Sequence, residues 1–215
     1  PAGSVAVHDG TAAFASRGLV LSFFGKSSHA SQPENGHNPA RAISKLIIDI
    51  PELTAREDHR GIVMATVVCV RIGEEAFGTN AGFGQLMLTI RAEFESELDA
   101  LDAEICARAR AYARQDGITN VEVQYRDSFP ETRNTPDAVA AVRKARLECG
   151  LPEARWDEPF RSSEDFGCYT KLTSGALFYI GCGTRHAKLH TREYDFNDEI
   201  IEPAVDMMFR LAQDA

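Results

Sequence analysis

The chain has 215 residues, of which 44% are hydrophobic and 26% charged, so an ordinary globular protein of one large or two small domains is expected. Its formal net charge of −9 argues against nucleic-acid binding, which needs a basic face. No apolar run approaches the roughly 20 residues of a membrane span, and no signal-peptide pattern precedes the first strand, so neither a membrane anchor nor export is expected.

The five cysteines are odd in number, scattered, and form no C-x-x-C pair. This spacing predicts neither a disulfide framework nor a zinc ribbon. A reducing cytoplasm is therefore the expected location.

The first part of the chain predicts short strands and one amphipathic helix. Residues 4–8 are expected to form a strand, followed by a turn at Asp9-Gly10, and the apolar run 19–24 a second strand. Asn38 and Pro39 are typical of a helix start. The apolar residues that follow recur at helical spacing, and Pro51 is expected to end this helix.

The middle of the chain continues with two strands, a helix and a further strand. Residues 62–72 are rich in Val and Ile, and residues 85–94 alternate between apolar and polar side chains. A helix is expected from Ser96 to Gly117, and a last alternating strand at 121–126. The order strand, helix, strand, strand, helix, strand over residues 18–126 predicts an α/β (α+β) fold of the ferredoxin-like βαββαβ type.

The composition changes after Phe129-Pro130. A helix is predicted from Thr135-Pro136 to Cys149, a short buried strand at 176–180, and a final helix that ends near residue 212. With one clear strand and few helices, this segment predicts a poor core by itself.

His29 is the first candidate for chemistry. It lies in the segment GKSSHASQP, directly after the strand at 19–24, among small residues that cannot shield it. An imidazole is the side chain whose charge changes near neutral pH, so it is suited to contact a ligand. The alternative is an exposed loop histidine without a role.

Two further segments carry polar side chains in loops. In Ser162-Ser163-Glu164-Asp165, the spacing of Ser162 and Asp165 is also that of a helix capping box, and both interpretations can hold together. His190 lies in a loop beyond the buried strand, where an imidazole is a good metal ligand. His186 would share a face with His190 only on a helix, which the nearby glycine disfavours, and it is expected to be solvated.

Three ordered motifs together resemble the M20 family of metal-dependent amidohydrolases and peptidases. They are GKSSHASQPENGHNPARAI, the Ser-Glu-Asp-Phe run at 163–166, and Leu-His at 189–190 followed by YDFNDE at 194–199. The later motifs are similar to the branch that hydrolyses N-acyl amino acids. The resemblance implies three segments: the end of an N-terminal catalytic segment at 1–16, a lid or dimerisation domain at 17–127, and the C-terminal catalytic segment at 128–215.

The resemblance also implies roles for individual residues. His29 would stabilise the oxyanion from the partner subunit of a lid-to-lid homodimer, and Asn80 and Arg91 would hold the substrate carboxylate. Glu164 would line the substrate cleft. His190 would bind one of two divalent metals, Zn or Mn. The exposed position expected for Arg91 is equally compatible with an ordinary surface arginine.

The remaining metal ligands and the general base of the family are not found in this chain. The expected function is hydrolysis of the amide bond of a small N-acyl amino acid or peptide by an enzyme of which this chain is an incomplete part. Two other interpretations stay open: a non-catalytic dimeric module that binds a small carboxylate, and a remnant that folds only with a separately made N-terminal chain.

Overall fold

The computed structural model describes residues 1–185, 187 and 189–213. Within these residues the helices are α1 (Ala40–Thr54), α2 (Glu95–Gln115), α3 (Pro136–Glu148), α4 (Gly167–Thr170) and α5 (Ile201–Gln213). The strands are β1 (Val5–Ala6), β2 (Gly10–Ala13), β3 (Ala15–Phe24), β4 (Ser28–His29), β5 (Val63–Ile72), β6 (Thr79–Asn80), β7 (Phe83–Ala92), β8 (Asn120–Phe129), β9 (Thr132–Asn134) and β10 (Tyr179–Ile180).

The chain divides into two compact units. The central unit is Phe14–Glu131, and the flanking unit is Pro1–Ala13 together with the described part of Thr132–Ala215. The boundaries expected from the sequence lie close by, at residues 17 and 127. None of the helices in the described residues is long and apolar enough to cross a bilayer.

The central unit has the predicted ferredoxin-like plan. Its sheet has the order β5-β7-β3-β8, and each neighbouring pair is antiparallel. The apolar stripes of α1 and α2 pack on one face of this sheet, against side chains such as Leu21, Phe23 and Leu88. The predicted βαββαβ fold is confirmed, because strand alternation and helix periodicity both direct apolar side chains to one shared core.

Strand β7 shows how the alternation positions polar residues. Leu86, Leu88 and Ile90 are buried in the core beneath the helices. Met87 and Arg91 alternate with them and are half-buried on the opposite face. The sheet therefore presents Arg91 away from the helices, as the sequence predicted.

Helix α1 does not end at Pro51, as the sequence predicted, but continues to Thr54. Leu53, in this extra turn, is 2% exposed, so its burial holds the turn against the cost of an internal proline. The Thr54 hydroxyl also donates to the Ile50 carbonyl, 3.2 Å away. The helix begins at Ala40, one residue later than predicted, and the Asn38 side chain accepts the Ala40 N–H at 2.9 Å.

The flanking unit has short strands and a small core. Strand β1 pairs with β10 and β2 with β9, both antiparallel. The core is formed by Val5, Val142 of α3, Ala145 of α3 and Met207 of α5. This small core agrees with the weak core predicted for the segment.

Several strand predictions in this unit were wrong in extent. The strand predicted at 4–8 is only Val5–Ala6, and the strand predicted at 176–180 is only Tyr179–Ile180. Gly10 was predicted to lie in a turn but begins β2, whose partner β9 was not predicted. Pairing between two short segments more than a hundred residues apart leaves no local periodicity to recognise.

His59 lies in the connection between α1 and β5 and bonds through both ring nitrogens. Nε2 lies 2.9 Å from the Leu53 carbonyl, and Nδ1 lies 2.9 Å from a carboxylate oxygen of Glu97 on α2. Both partners are acceptors, so only the protonated ring donates to both. The Leu53 carbonyl and then Glu97, with nearby Asp58, raise the pKa of His59 above its usual 6.5.

This raised pKa predicts a loss of stability as the pH rises above 6.5. Below about pH 6.5 His59 is protonated in both states and its contribution is complete; as the pH rises through the folded-state pKa, that contribution is lost. We expect a decrease of about 1.5 kcal/mol in the unfolding free energy, the value of a charge-assisted hydrogen bond. Urea denaturation across this range measures it. His59→Gln should remove the pH dependence; an unchanged slope in that variant would contradict the assignment.

Candidate functional site

The loop that carries His29 is closed at its base by backbone hydrogen bonds. The Gly25 N–H donates to the Gly82 carbonyl at 2.7 Å. Lys26 and His37 form an antiparallel bridge, with N–H to O distances of 3.1 and 2.8 Å. Residues 25–37 therefore form a loop after β3 whose two ends are held together by hydrogen bonds.

Two glycines allow the backbones at this base to approach closely. A Cβ atom on Gly25 would lie 1.9 Å from the His37 carbonyl oxygen, and one on Gly82 would lie 2.3 Å from the Ser27 nitrogen. Both obstacles are backbone atoms, which cannot rotate away as a side chain can. The glycines are therefore required by the approach of two chain segments.

His29 is held on a two-stranded ribbon. Strand β4 pairs with β6 so that Ser28 is opposite Asn80 and His29 is opposite Thr79. The next residue, Ala30, donates its N–H to the Gly78 carbonyl at 3.0 Å. The His29 side chain is exposed, so the imidazole is fixed through its backbone and remains accessible to a ligand.

Asn80 links this ribbon to the start of α1. Its Oδ1 accepts from Asn38 Nδ2 at 2.8 Å, and its Nδ2 donates to Ser28 Oγ at 3.0 Å. Asn38 in turn accepts the Ala40 N–H. Asn80 is half-buried, and its amide is engaged on both sides in holding the strand that carries His29.

Asn80→Ala is expected to lower the unfolding free energy by about 1–2 kcal/mol, because it removes the hydrogen bonds to Asn38, Ser28 and the Pro33 carbonyl and leaves the Asn38 amide without its acceptor. Chemical denaturation measures the change. Asn120→Ala, at an exposed position at the start of β8, is the control and should stay within about 0.5 kcal/mol of the parent. Equal stabilities for the two variants would argue against this role of Asn80.

A cavity of about 280 Å³ lies beside the ribbon in the central unit. Its lining includes Ser27, Thr79 and Glu74 together with the apolar side chains of Ile72 and Phe83. Its volume is near the lower limit of small-molecule sites. Thr79, the strand partner of His29, lines this cavity, whereas His29 itself does not.

Arg91 does not lie with His29 and Asn80 in one chain. Asn80 precedes β7, and Arg91 is near the other end of that strand, paired with Ser16 and Met64. The run from Phe83 to Arg91 spans about 26 Å at roughly 3.3 Å per residue. One protomer therefore cannot hold the same carboxylate with Asn80 and Arg91.

Glu164 lies in the flanking unit, exposed in a turn that leads into α4. Burial raises the pKa of Tyr179 to about 12, and the negative charge of Glu164 adds to this effect. The capping box predicted at Ser162 is not formed: α4 begins at Gly167, after Phe166, without a side-chain cap. The local polar pattern therefore predicts a cap four residues before the observed N-cap, Phe166.

His190 is exposed, with a backbone φ of +65°, a left-handed conformation that is uncommon for residues other than glycine. His186 lies outside the described residues. Among the described residues there is no group of three or more His, Cys, Asp or Glu side chains able to hold a metal ion. The donors in the described part of the chain therefore do not form a metal centre, and His190 contributes at most one ligand.

Two residues that hold the site were not identified as functional from the sequence. Ser31 contacts the His29 ring, with Oγ 2.7 Å and the main-chain nitrogen 3.1 Å from Nδ1. Asn38 was identified only as a helix cap, although it also bonds to Asn80. The signal for Ser31 was its position two residues after His29; the Asn38–Asn80 bond joins distant segments and leaves no sequence signal.

Known proteins are similar to this chain over most of its length. Peptidase family M20/M25/M40 matches residues 8–214. The N-acetyldiaminopimelate deacetylase of Bacillus licheniformis is 26% identical over 216 residues, covering 97% of this chain and 55% of the relative. This chain spans about half the length of the curated relatives it matches.

Solved structures share the fold. A candidate aminohydrolase from methicillin-resistant Staphylococcus aureus has a TM-score of 0.86 at 19% identity, covering 99% of this chain and 56% of that one. The YXEP protein of Bacillus subtilis, described as a dinuclear metal-binding peptidase from the M20 family, has a TM-score of 0.75 at 17% identity, covering 99% and 53%. With the family match over nearly its whole length, this chain belongs to peptidase family M20/M25/M40.

Proposed function

We propose that this chain is part of an amidohydrolase that cleaves the amide bond of small N-acyl amino acids. The main support for this proposal is the family match over residues 8–214. It is combined with an accessible His29 on a loop that is held by the β4–β6 pairing. His29 would donate a hydrogen bond to the oxygen of the scissile carbonyl as negative charge develops there. The similarity to an N-acetyldiaminopimelate deacetylase supports an N-acylated amino acid as substrate.

The metal centre of such an enzyme would need ligands from outside the described part of this chain. A two-metal hydrolase requires several His, Asp or Glu side chains and a general base. His190 is the one ligand that we assign to this chain, and we propose zinc or manganese as the metal. Further polypeptide would supply the other ligands. We use the term completed enzyme for this chain together with that polypeptide.

The surface of α5 supports an association with further polypeptide. Ile201, Val205, Met208 and Phe209 recur at helical spacing, and each is about half exposed or more. They form an apolar stripe on a side of α5 other than that of Met207, which is buried in the small core. An exposed stripe of this kind is typical of a surface that another element covers.

We also propose a homodimer formed through the central unit. His29 and Asn80 lie on the separate β4–β6 ribbon, which precedes β7, whereas Arg91 lies near the far end of β7. Their action on one substrate therefore requires two copies. Strand β5 is an edge strand with exposed valines, at 62% for Val68 and 41% for Val70. Such an edge favours pairing with another chain.

An assay with N-acetyl and N-benzoyl amino acids tests the proposed activity. This chain alone, with added zinc or manganese, is expected not to hydrolyse them. The completed enzyme is expected to hydrolyse them. Turnover by the chain alone would show that its ligand set is complete and that our division of the site is wrong. Failure of the completed enzyme to hydrolyse any N-acyl amino acid would overturn the amidohydrolase proposal.

A second candidate is a non-catalytic dimeric module that binds a small carboxylate. The central unit favours this second candidate, because the unit has its own core and carries both the loop with His29 and the cavity beside the β4–β6 ribbon. Carboxylate binding that is independent of added metal, with no hydrolysis by the completed enzyme, would favour this module over the enzyme.

A further inference from the structure

The ring of His29 has a defined hydrogen-bonding state. The main-chain N–H of Ser31 donates to His29 Nδ1 at 3.1 Å. An amide N–H is a donor only, so Nδ1 must act as an acceptor. A neutral imidazole has one donor and one acceptor nitrogen, and the proton therefore resides on Nε2.

The hydroxyl of Ser31 reinforces this arrangement. Its Oγ lies 2.7 Å from the same Nδ1 atom, and because Nδ1 accepts, the hydroxyl donates. The contact lies inside a turn that is closed by the Gln32 N–H, which donates to the His29 carbonyl at 2.9 Å. Two donors of one residue therefore converge on one nitrogen, in a segment whose backbone is already fixed by the β4–β6 pairing.

The other nitrogen is available. Among the residues that the structure describes, His29 Nε2 makes no hydrogen bond, and the side chain is exposed. In the tautomer fixed by Ser31, Nε2 presents an N–H donor. In the opposite tautomer it would present a lone pair, which repels a developing oxyanion.

We propose that Ser31 is a positioning residue that holds neutral His29 in the Nε2–H tautomer, so that Nε2 is a hydrogen-bond donor to the substrate oxygen. The catalytic role of this tautomer rests on the proposed function, whereas the presence of the tautomer does not. The tautomer is a property of this chain in the absence of metal and substrate. It can therefore be measured independently of activity.

Long-range ¹H–¹⁵N NMR of the ¹⁵N-labelled chain, at a pH where ordinary imidazoles are neutral, measures the tautomer directly. His29→Gln identifies the His29 signals by their loss. We expect an unprotonated, pyridine-like Nδ1 and a protonated, pyrrole-like Nε2. In Ser31→Ala the main-chain N–H still donates to Nδ1, so Nε2–H should remain the major tautomer, while the Nδ1 signal should shift because the hydrogen bond from the hydroxyl is lost.

Ser31→Thr and Ser27→Ala are the matched controls. Ser31→Thr retains a hydroxyl and should restore the parent Nδ1 signal, and Ser27→Ala removes an exposed hydroxyl of the same loop and should not change that signal. An Nδ1–H tautomer in the parent, or identical His29 signals in the parent and Ser31→Ala, would overturn the inference. If the NMR results are as expected but the completed enzyme hydrolyses no amide, the proposed function fails and the assignment of Ser31 stands.

Discussion

Gly25→Ala is expected to destabilise the central unit by about 3 kcal/mol, near the upper end of the usual effect of a point substitution. The added Cβ would lie 1.9 Å from the His37 carbonyl oxygen. Relief of this overlap requires the bridge between Lys26 and His37 to open, together with the hydrogen bond from Gly25 to Gly82. Chemical denaturation of the purified chain measures the loss.

The chain contains a matched control for this substitution. Gly78 lies in the same region, and its carbonyl accepts the Ala30 N–H, but a Cβ on Gly78 would meet no atom within 4 Å. Gly78→Ala should therefore change the unfolding free energy by no more than about 0.5 kcal/mol. If both variants are equally stable, the two backbone segments at the base of the loop are not held as close together as we describe.

His29→Ala in the completed enzyme is expected to lower kcat by a factor of about 10²–10³, the usual effect of removing one donor to a developing oxyanion. KM should change by less than about threefold, since the donor acts mainly in the transition state. The folded state should be little affected, because the His29 side chain is exposed. Initial rates with an N-acetyl amino acid over a range of concentrations separate the two constants.

His37→Gln is the control for a histidine of the same loop. The His37 ring is exposed and lies against Gly117, and the base of the loop uses its backbone and not its ring. We expect kcat of this variant to stay within about threefold of the parent. A similar decrease in both variants would mean that the loop, and not the His29 imidazole, is what the reaction needs.

The sequence predicts the central unit well because its elements are long and regular. The alternation in β7 and the helical spacing in α1 each recur often enough to identify both the element and its buried face. Pro51 was misleading because a local rule ends the helix there, whereas the burial of Leu53 extends it. In the flanking unit the strands are too short for any periodicity, and only the distant pairing defines them.

The site could be predicted in its reactive residue but not in its support. His29 was recognisable from its place after a strand and from the motif around it. Its support depends on segments that meet only in the folded chain. Examples are the hydrogen bonds of Asn80 to Asn38 and Ser28, and the close approach of Gly25 to the His37 backbone. The separation of Asn80 from Arg91 follows from the continuous strand β7 that lies between them.

Metal content per chain tests the central claim most directly. The chain is purified without chelator or affinity tag, dialysed against zinc or manganese and then against metal-free buffer, and analysed for elements. Our account assigns one ligand, His190, to this chain, and the described residues contain no metal-holding group, so the expected content is far below one tightly bound metal per chain. A content near two metals per chain would contradict it and would identify this chain as a complete hydrolase.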